Sequence, residues 1–201
     1  TVLNDLWCAG NKLTSLDVSA NTALTHLDCS YNQLTSLDVS SNTALISLIC
    51  PNNQLTSLDV SKNTVLSELQ CFTNKLTSLD VSNNTVLQIL NCGANQLTSL
   101  DVSKNTALVE LVCSENQLTY LNMRNGITEQ LIVFHENYNP NLTCIEVLDP
   151  VYATANWTSA NGNIDAGVTF AVICGGTDLT KWHVDPSGSD AQGKGTLASP
   201  L

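Results

Sequence analysis

The chain has 201 residues, with 7 basic and 18 acidic side chains and a formal charge of −11. So few cations exclude nucleic acid as a partner, because affinity there rests on phosphate neutralisation by Lys and Arg, and they exclude an anionic membrane surface for the same reason. Only 12% of the residues are charged and no apolar run approaches the roughly 20 residues of a membrane span, so we expect a neutral-polar surface rich in Asn, Thr and Ser and no membrane insertion. The opening Thr1-Val2-Leu3 shows neither Met nor a signal peptide and reads as a processed or trimmed fragment.

Two half-units then alternate along the chain. The first, Leu-x-x-Leu-x-Cys-x-x-Asn, begins at Leu3 and returns at Leu24, Leu45, Leu66, Leu87 and Leu108. The second, Leu-Thr-Ser-Leu-Asp-Val-Ser, begins at Leu13, Leu34, Leu55, Leu76 and Leu97, always 21 residues apart. A period of this length with this leucine spacing is the mark of leucine-rich repeats. One unit cannot bury its own leucine side, so successive units must stack into a continuous core. Within each half-unit apolar residues alternate, as in Leu27-Asp28-Cys29 and Leu37-Asp38-Val39, and period 2 predicts strand. The expected fold is mainly β: a solenoid of 21-residue coils with short parallel strands on two sides and an irregular C-terminal cap. Stacked at about 4.8 Å, the coils make a flattened rod roughly 30 Å long.

Several residue types recur in columns. Cys8, Cys29, Cys50, Cys71, Cys92 and Cys113 hold the third apolar slot and read as buried free thiols, small hydrophobes rather than ligands. Metal-binding cysteines converge in close pairs, which a line of parallel thiols does not do, and parallel side chains do not bridge. Asn11, Asn32, Asn53, Asn74, Asn95 and Asn116 form one amide column, and Asn21, Asn42, Asn63, Asn84 and Asn105 a second. Both fall at turns, where an amide satisfies backbone groups of its own and neighbouring coils. Asp17, Asp38, Asp59, Asp80 and Asp101 form an outward carboxylate row. Its plain reading is hydrogen bonding to nearby Ser and Thr. Its sharper reading is a Ca²⁺-collecting column, the only cofactor the sequence suggests.

The two halves differ in how much they vary. The Asp half is nearly invariant. On the Cys half, Asp5, His26, Ser47, Glu68, Ile89 and Glu110 precede the second Leu; Trp7, Asp28, Ile49, Gln70, Asn91 and Val112 follow it; Ala9, Ser30, Pro51, Phe72, Gly93 and Ser114 follow the Cys. These positions should point outward, since they alternate with core residues. A varied face suits recognition, against a reading as simple drift on a solvated surface. Trp7, Phe72 and Tyr31 could stack on sugar rings or anchor a protein. The expected binding set is Trp7, His26, Asp28, Ile49, Glu68, Gln70, Phe72, Asn91 and Glu110.

After Leu118 the repeat decays: Asn122 replaces the Asp, Phe134 falls in the Cys column and Asn137 keeps register. Residues 1–138 are therefore read as the solenoid and 139–176 as its cap, which a terminal repeat requires. Cys144 and Cys174 stand outside the ladder and should pair in an extracellular chain, while Trp157 packs in the cap. Gly175-Gly176 marks a linker, and 177–201 read as the truncated start of a further domain.

Leu-Thr-Ser-Leu-Asp-Val-Ser-x-Asn-Thr with Leu-x-x-Leu-x-Cys, over residues 3 to about 137, resembles the extracellular leucine-rich-repeat proteins of the Bacteroidetes. The cap, with Asn139-Pro140-Asn141-Leu142-Thr143-Cys144 and Ala155-Asn156-Trp157-Thr158, resembles that group too. The resemblance implies secretion or cell-surface display and adhesion to proteins or glycans, with no shared catalytic residues. The tail from Trp182 to Pro200 is similar to the start of right-handed parallel β-helix domains, many of which process polysaccharides. No polar cap precedes Leu3, so upstream coils or an end-to-end dimer are both compatible with the open edge. The expected function is a non-catalytic binding module for a polysaccharide or a cell-surface protein, as a monomer or an end-to-end dimer. The alternative is a rigid spacer presenting a β-helix domain. An enzyme is not expected: His26, His135 and His183 are scattered and no nucleophile–base pattern stands at usable spacing.

Overall fold

Strand formation follows the Cys half-unit. The computed structural model describes residues 2–175, and in it the three residues centred on the second Leu of each coil are extended: β1 (Asp5–Trp7), β2 (His26–Asp28), β3 (Ser47–Ile49), β4 (Glu68–Gln70) and β5 (Ile89–Asn91). On the opposite side extended structure begins later, with β6 (Ser99–Asp101). The chain continues through β7 (Glu110–Val112), β8 (Tyr120–Met123), β9 (Val133–His135) and β10 (Cys144–Val147), then helix α1 (Pro150–Asn156) and β11 (Thr169–Ala171). All pairings are parallel. One sheet runs β1-β2-β3-β4-β5-β7-β9; the other runs β6-β8-β10-β11. The register steps by one repeat, so that Leu27 faces Leu48, Leu48 faces Leu69 and Leu69 faces Leu90.

The core is a set of columns between the two sides. Leu27, Leu48, Leu69 and Leu90 face Leu34, Leu55, Leu76 and Leu97, with Val39, Val60, Val81 and Val102 and the cysteines Cys29 to Cys113, all essentially sealed from solvent. Each buried Leu contributes about 1.5–3 kcal/mol, and the stacking makes that contribution continuous along the axis. The thiols are free, and only Cys8, in the first coil, is partly accessible. Burial pushes the Cys29 and Cys92 thiols up to about 12, so these side chains behave as small hydrophobes.

The first amide column clips coil to coil. Asn74 Nδ2 donates to the carbonyls of Cys50 (3.0 Å) and Cys71 (3.0 Å), while its Oδ1 accepts the Leu55 N–H at 3.0 Å. Asn32, Asn53, Asn95 and Asn116 repeat the pattern. The second column is half used: Asn84 Nδ2 donates to Val60 O (3.1 Å) and Asn63 O (2.9 Å), but the Oδ1 atoms of Asn42, Asn63, Asn84 and Asn105 are buried without a partner.

The Asp half forms no ladder in the first four coils. There the Asp17, Asp38, Asp59 and Asp80 carboxylates each accept the N–H of the Ser two residues on, at 2.8–2.9 Å, closing a local turn that Asp101 also makes with Ser103 N–H at the end of β6. Pairing on this side starts only where Ser99, Leu100 and Asp101 meet Tyr120, Leu121 and Asn122.

The register of the seventh coil differs from the sequence expectation. Ile89 pairs with Glu110, a step of 21, but Glu110 pairs with Val133, a step of 23. An extra turn absorbs the difference, with Gln130 N and Leu131 N both donating to Ile127 O. Phe134 therefore sits opposite Leu111 in the leucine column, and Glu136 takes the Cys position. Asn139, not Asn137, completes the amide column, accepting from Leu118 N (3.0 Å) and donating to Cys113 O (3.1 Å).

The segment expected as an irregular cap contains β10, α1 and β11. Asp149 caps α1 by accepting from Tyr152 N at 2.9 Å, with Pro150 in the first turn, where its missing N–H is harmless. Cys144 and Cys174 are disulfide-bonded across a separation of 30 residues. Trp157 is buried between Phe134 and Phe170, with ring centroids 4.5 and 5.8 Å away. The anticipated further domain, 177–201, lies outside the described residues.

Candidate functional site

Two columns of side chains project outward from the seven-stranded sheet. The pairing register aligns Asp5, His26, Ser47, Glu68, Ile89, Glu110 and Val133 in one, and Trp7, Asp28, Ile49, Gln70, Asn91, Val112 and His135 in the other. All the expected binding residues except Phe72 stand on these strands. Most are half-buried against their neighbours, and Trp7, on the edge strand β1, is 68% exposed. Val133 and His135 extend both columns, although the sequence placed His135 in the decaying end. The two-residue insertion concealed their register.

The third expected column does not project. Ser30, Pro51 and Gly93 are buried and Phe72 is half-buried. The chain turns immediately after the Cys: Tyr31, Asn52, Thr73, Ala94 and Glu115 have φ between 50° and 56°, a left-handed conformation that redirects the backbone into the amide column. Gly10 occupies the corresponding place in the first coil with φ 69°. Ser30 is folded back so that its Oγ donates to Asp28 Oδ1 at 2.6 Å. Ser47, expected outward, is covered by Glu68, whose Oε2 accepts its hydroxyl at 2.8 Å.

Polar contacts orient much of the face. Gln70 Nε2 donates to Glu68 Oε1, so that Ser47, Glu68 and Gln70 form one network across β3 and β4. Asp28 accepts from the Ser30 N–H at 2.9 Å, and Asn91 accepts from Gly93 N at 3.2 Å. His26 Nδ1 lies 2.8 Å from Asp5 Oδ1 and 3.0 Å from Thr25 Oγ1. Hydroxyl and carboxylate thus meet the same ring nitrogen, whereas a nucleophile–base–acid relay requires them on opposite nitrogens.

The face carries Asp5, Asp28, Glu68 and Glu110 but no Lys or Arg. Among the described residues the cations are elsewhere: Lys12 and Lys75 follow the amide-column turns, Lys62 and Lys104 lie in the turns after the Asp row, and Arg124 stands 3.5 Å from Glu146. A depression of about 390 Å³ on the Asp half is walled by Ser78, Asp80, Ser82, Asp101 and Lys104, away from the sheet face. Hydrogen bonds from Ser19, Ser40, Ser61 and Ser82 hold the Asp17, Asp38, Asp59 and Asp80 carboxyls below the usual carboxylate range. Among the described residues no group of three or more His, Cys, Asp or Glu side chains converges as a metal site, and no helix is long and apolar enough to cross a membrane.

No protein-family model matches the chain, and no curated protein matches it. Solved structures do. The functional domain of InlJ from Listeria monocytogenes, which includes a cysteine ladder, is 37% identical with a TM-score of 0.64, covering 73% of this chain and 36% of that one. A leucine-rich-repeat protein of Leptospira interrogans is 25% identical with a TM-score of 0.61, over 72% of this chain and 43% of that one. An internalin C2 from Listeria monocytogenes, at 21% identity and a TM-score of 0.62 over 84% of this chain and 71% of that one, shares the fold. This chain thus spans less than half the length of the first two proteins, and its architecture is a leucine-rich-repeat solenoid with a cysteine column.

Proposed function

We propose that the chain is a non-catalytic recognition module of an extracellular protein, and that it holds a protein partner along the outward columns of the seven-stranded sheet. The observation that carries this reading is the contrast between a regular backbone ladder and side chains that change in every coil. The ladder needs nothing from Trp7, Ile49 or Gln70, so these positions are free to suit a ligand. Carboxylates without neighbouring cations favour a partner surface bearing Lys or Arg around apolar groups. The Cys144–Cys174 disulfide supports an oxidising, extracellular setting.

The exposed indole of Trp7 favours a second reading, a polysaccharide stacked on the first coils. Probing the purified chain against immobilised ectodomain proteins and against soluble and insoluble polysaccharides, with and without Ca²⁺, separates the readings. Retention by proteins, lost with Trp7→Ala/Ile49→Ala, supports the first. Retention by glycans supports the second, and a requirement for Ca²⁺ implicates the Asp row. Failure of every probe favours a rigid spacer.

A further inference from the structure

The Cys column ends in a carboxyl group. Glu136 occupies the position above Cys113, is 0% exposed, and neither of its carboxylate oxygens has a hydrogen-bond partner. The cap closes directly over it. Glu136 N–H donates to Asn163 O at 2.8 Å, and Asn163 Nδ2 donates to Phe134 O at 3.0 Å. Asp165 accepts from Tyr138 N (2.9 Å) and Asn139 N (2.7 Å) with its two oxygens. Segment 157–165 is thereby laid across the outer edge of β9, with Trp157 stacked on Phe134. Beyond it, β10–β11 pairing and the disulfide tie the two ends of the cap together.

We propose that Glu136 and Asp165 form a proton-dependent latch: the cap segment closes over the last coil while the Glu136 carboxyl is protonated, and ionisation releases it. A carboxylate buried here would lack both water and a counter-ion, and would face the Asp165 carboxylate. The titratable groups that bear on Glu136 are Asp165 from the cap and, in the preceding coil, the Cys113 thiol, which burial keeps neutral. No Lys or Arg among the described residues pairs with it, and the neighbouring His135 points to the exposed face. Burial first, then Asp165, push the Glu136 carboxyl up to about 8; the Asp165 N–H and the Asn139 amide lie near enough to favour the charged form slightly but form no hydrogen bond with the carboxylate oxygens.

The sign follows from linkage. The closed state binds the proton more tightly than the open one, whose carboxyl titrates near the ordinary 4.5. Closure is therefore fully favoured below about pH 4.5, weakens by about tenfold per pH unit from there to about pH 8, and changes no further above it. Because the ends of the cap stay tied, release lifts the segment between them. It frees the backbone edge of β9 for pairing with another strand and releases the N–H groups of Glu136, Tyr138 and Asn139 from their cap acceptors.

Amide exchange reads this directly. The full chain is exchanged into heavy water between pH 5 and 9, and exchange of the Glu136, Tyr138 and Asn139 amides is expressed relative to the Cys71 amide, bonded to Asn91 O in the middle of the sheet, by NMR. The latch predicts that this ratio rises by up to about tenfold per pH unit and levels near pH 8, and that Glu136→Gln and Glu136→Met abolish the slope. The slope decides, so a variant cap that is looser at every pH does not obscure the result. A flat ratio in the native chain, or the same slope in both variants, overturns the proposal.

Discussion

The two sides of each coil are held together by different means. On the Cys half the backbone joins coil to coil, strand to strand from β1 to β9, and the outward side chains add only scattered contacts such as Ser47–Glu68 and Asp5–His26. On the Asp half, through the first four coils, single backbone bonds such as Gln54 N–H to Leu34 O stand in place of a ladder, Asn amides reach back to the preceding coil, and Asp carboxylates close turns within their own coil on Ser N–H groups. A side chain employed in the architecture cannot change without loss. This explains why Leu-Thr-Ser-Leu-Asp-Val-Ser recurs while the strand face reads differently in every coil. Variation is permitted where the backbone alone suffices, and that is where a ligand can be accommodated.

Substitutions ranked by effect can break or sharpen this contrast. The largest loss is expected at Asn74→Ala. It leaves the buried Leu55 N–H without its acceptor, besides removing the donor to Cys50 and Cys71, and should lower unfolding free energy by about 3 kcal/mol in urea titration. Asn84→Ala should lower it by less, about 1–2 kcal/mol. The carbonyls it abandons, Val60 O and Asn63 O, keep their turn bonds from Asn63 N and Leu66 N, and its own Oδ1 had no partner to lose. Equal losses would remove the distinction between the two amide columns.

A smaller effect belongs to the Asp row. The Asp17, Asp38, Asp59 and Asp80 carboxyls titrate below the ordinary 3.8 because Ser donors favour the charged form. Their contribution is therefore present above about pH 3.8 and is lost as pH falls through the lowered folded values. Asp38→Ala/Asp59→Ala should reduce the thermal midpoint at pH 7 and flatten its fall below pH 4. The smallest change in stability is expected on the strand face. Trp7→Ala and Gln70→Ala should stay within about 0.5 kcal/mol of the native chain, as surface substitutions do. A large loss at Gln70 would mean that the Ser47–Glu68–Gln70 network is architectural after all.

Much of this was legible in the chain because coils one to six keep a constant period. Leucine, cysteine and asparagine columns stay in phase, so burial and the amide clips follow from spacing alone. The seventh coil was misread for a single reason. The constant period was carried straight through Asn125-Gly126, a turn signal with Gly126 at φ 79°; two residues are absorbed in the Ile127–Leu131 turn that follows, and the shift moves Phe134, Glu136, His135 and Asn139 into unforeseen columns. The buried third position was hidden for a different reason. A left-handed backbone follows each Cys, yet Tyr31, Thr73, Ala94 and Glu115 stand there rather than glycine. Only Gly10 and Asn52 hint at it. The late onset of the second sheet was equally unmarked, since Asp101 has the same sequence context as Asp59.

The central claim is that recognition resides on the strand face and architecture on the Asp half. Its most direct test is binding by three forms of the chain to whichever immobilised protein or glycan retains the native one: native, Trp7→Ala/Ile49→Ala, and Asp38→Ala/Asp59→Ala. The account predicts that the strand-face pair loses at least tenfold in affinity while the Asp pair, compared well below its thermal midpoint, binds as the native chain does. Undiminished binding by the strand-face pair together with loss in the Asp pair would contradict it and place the ligand on the opposite side of the solenoid.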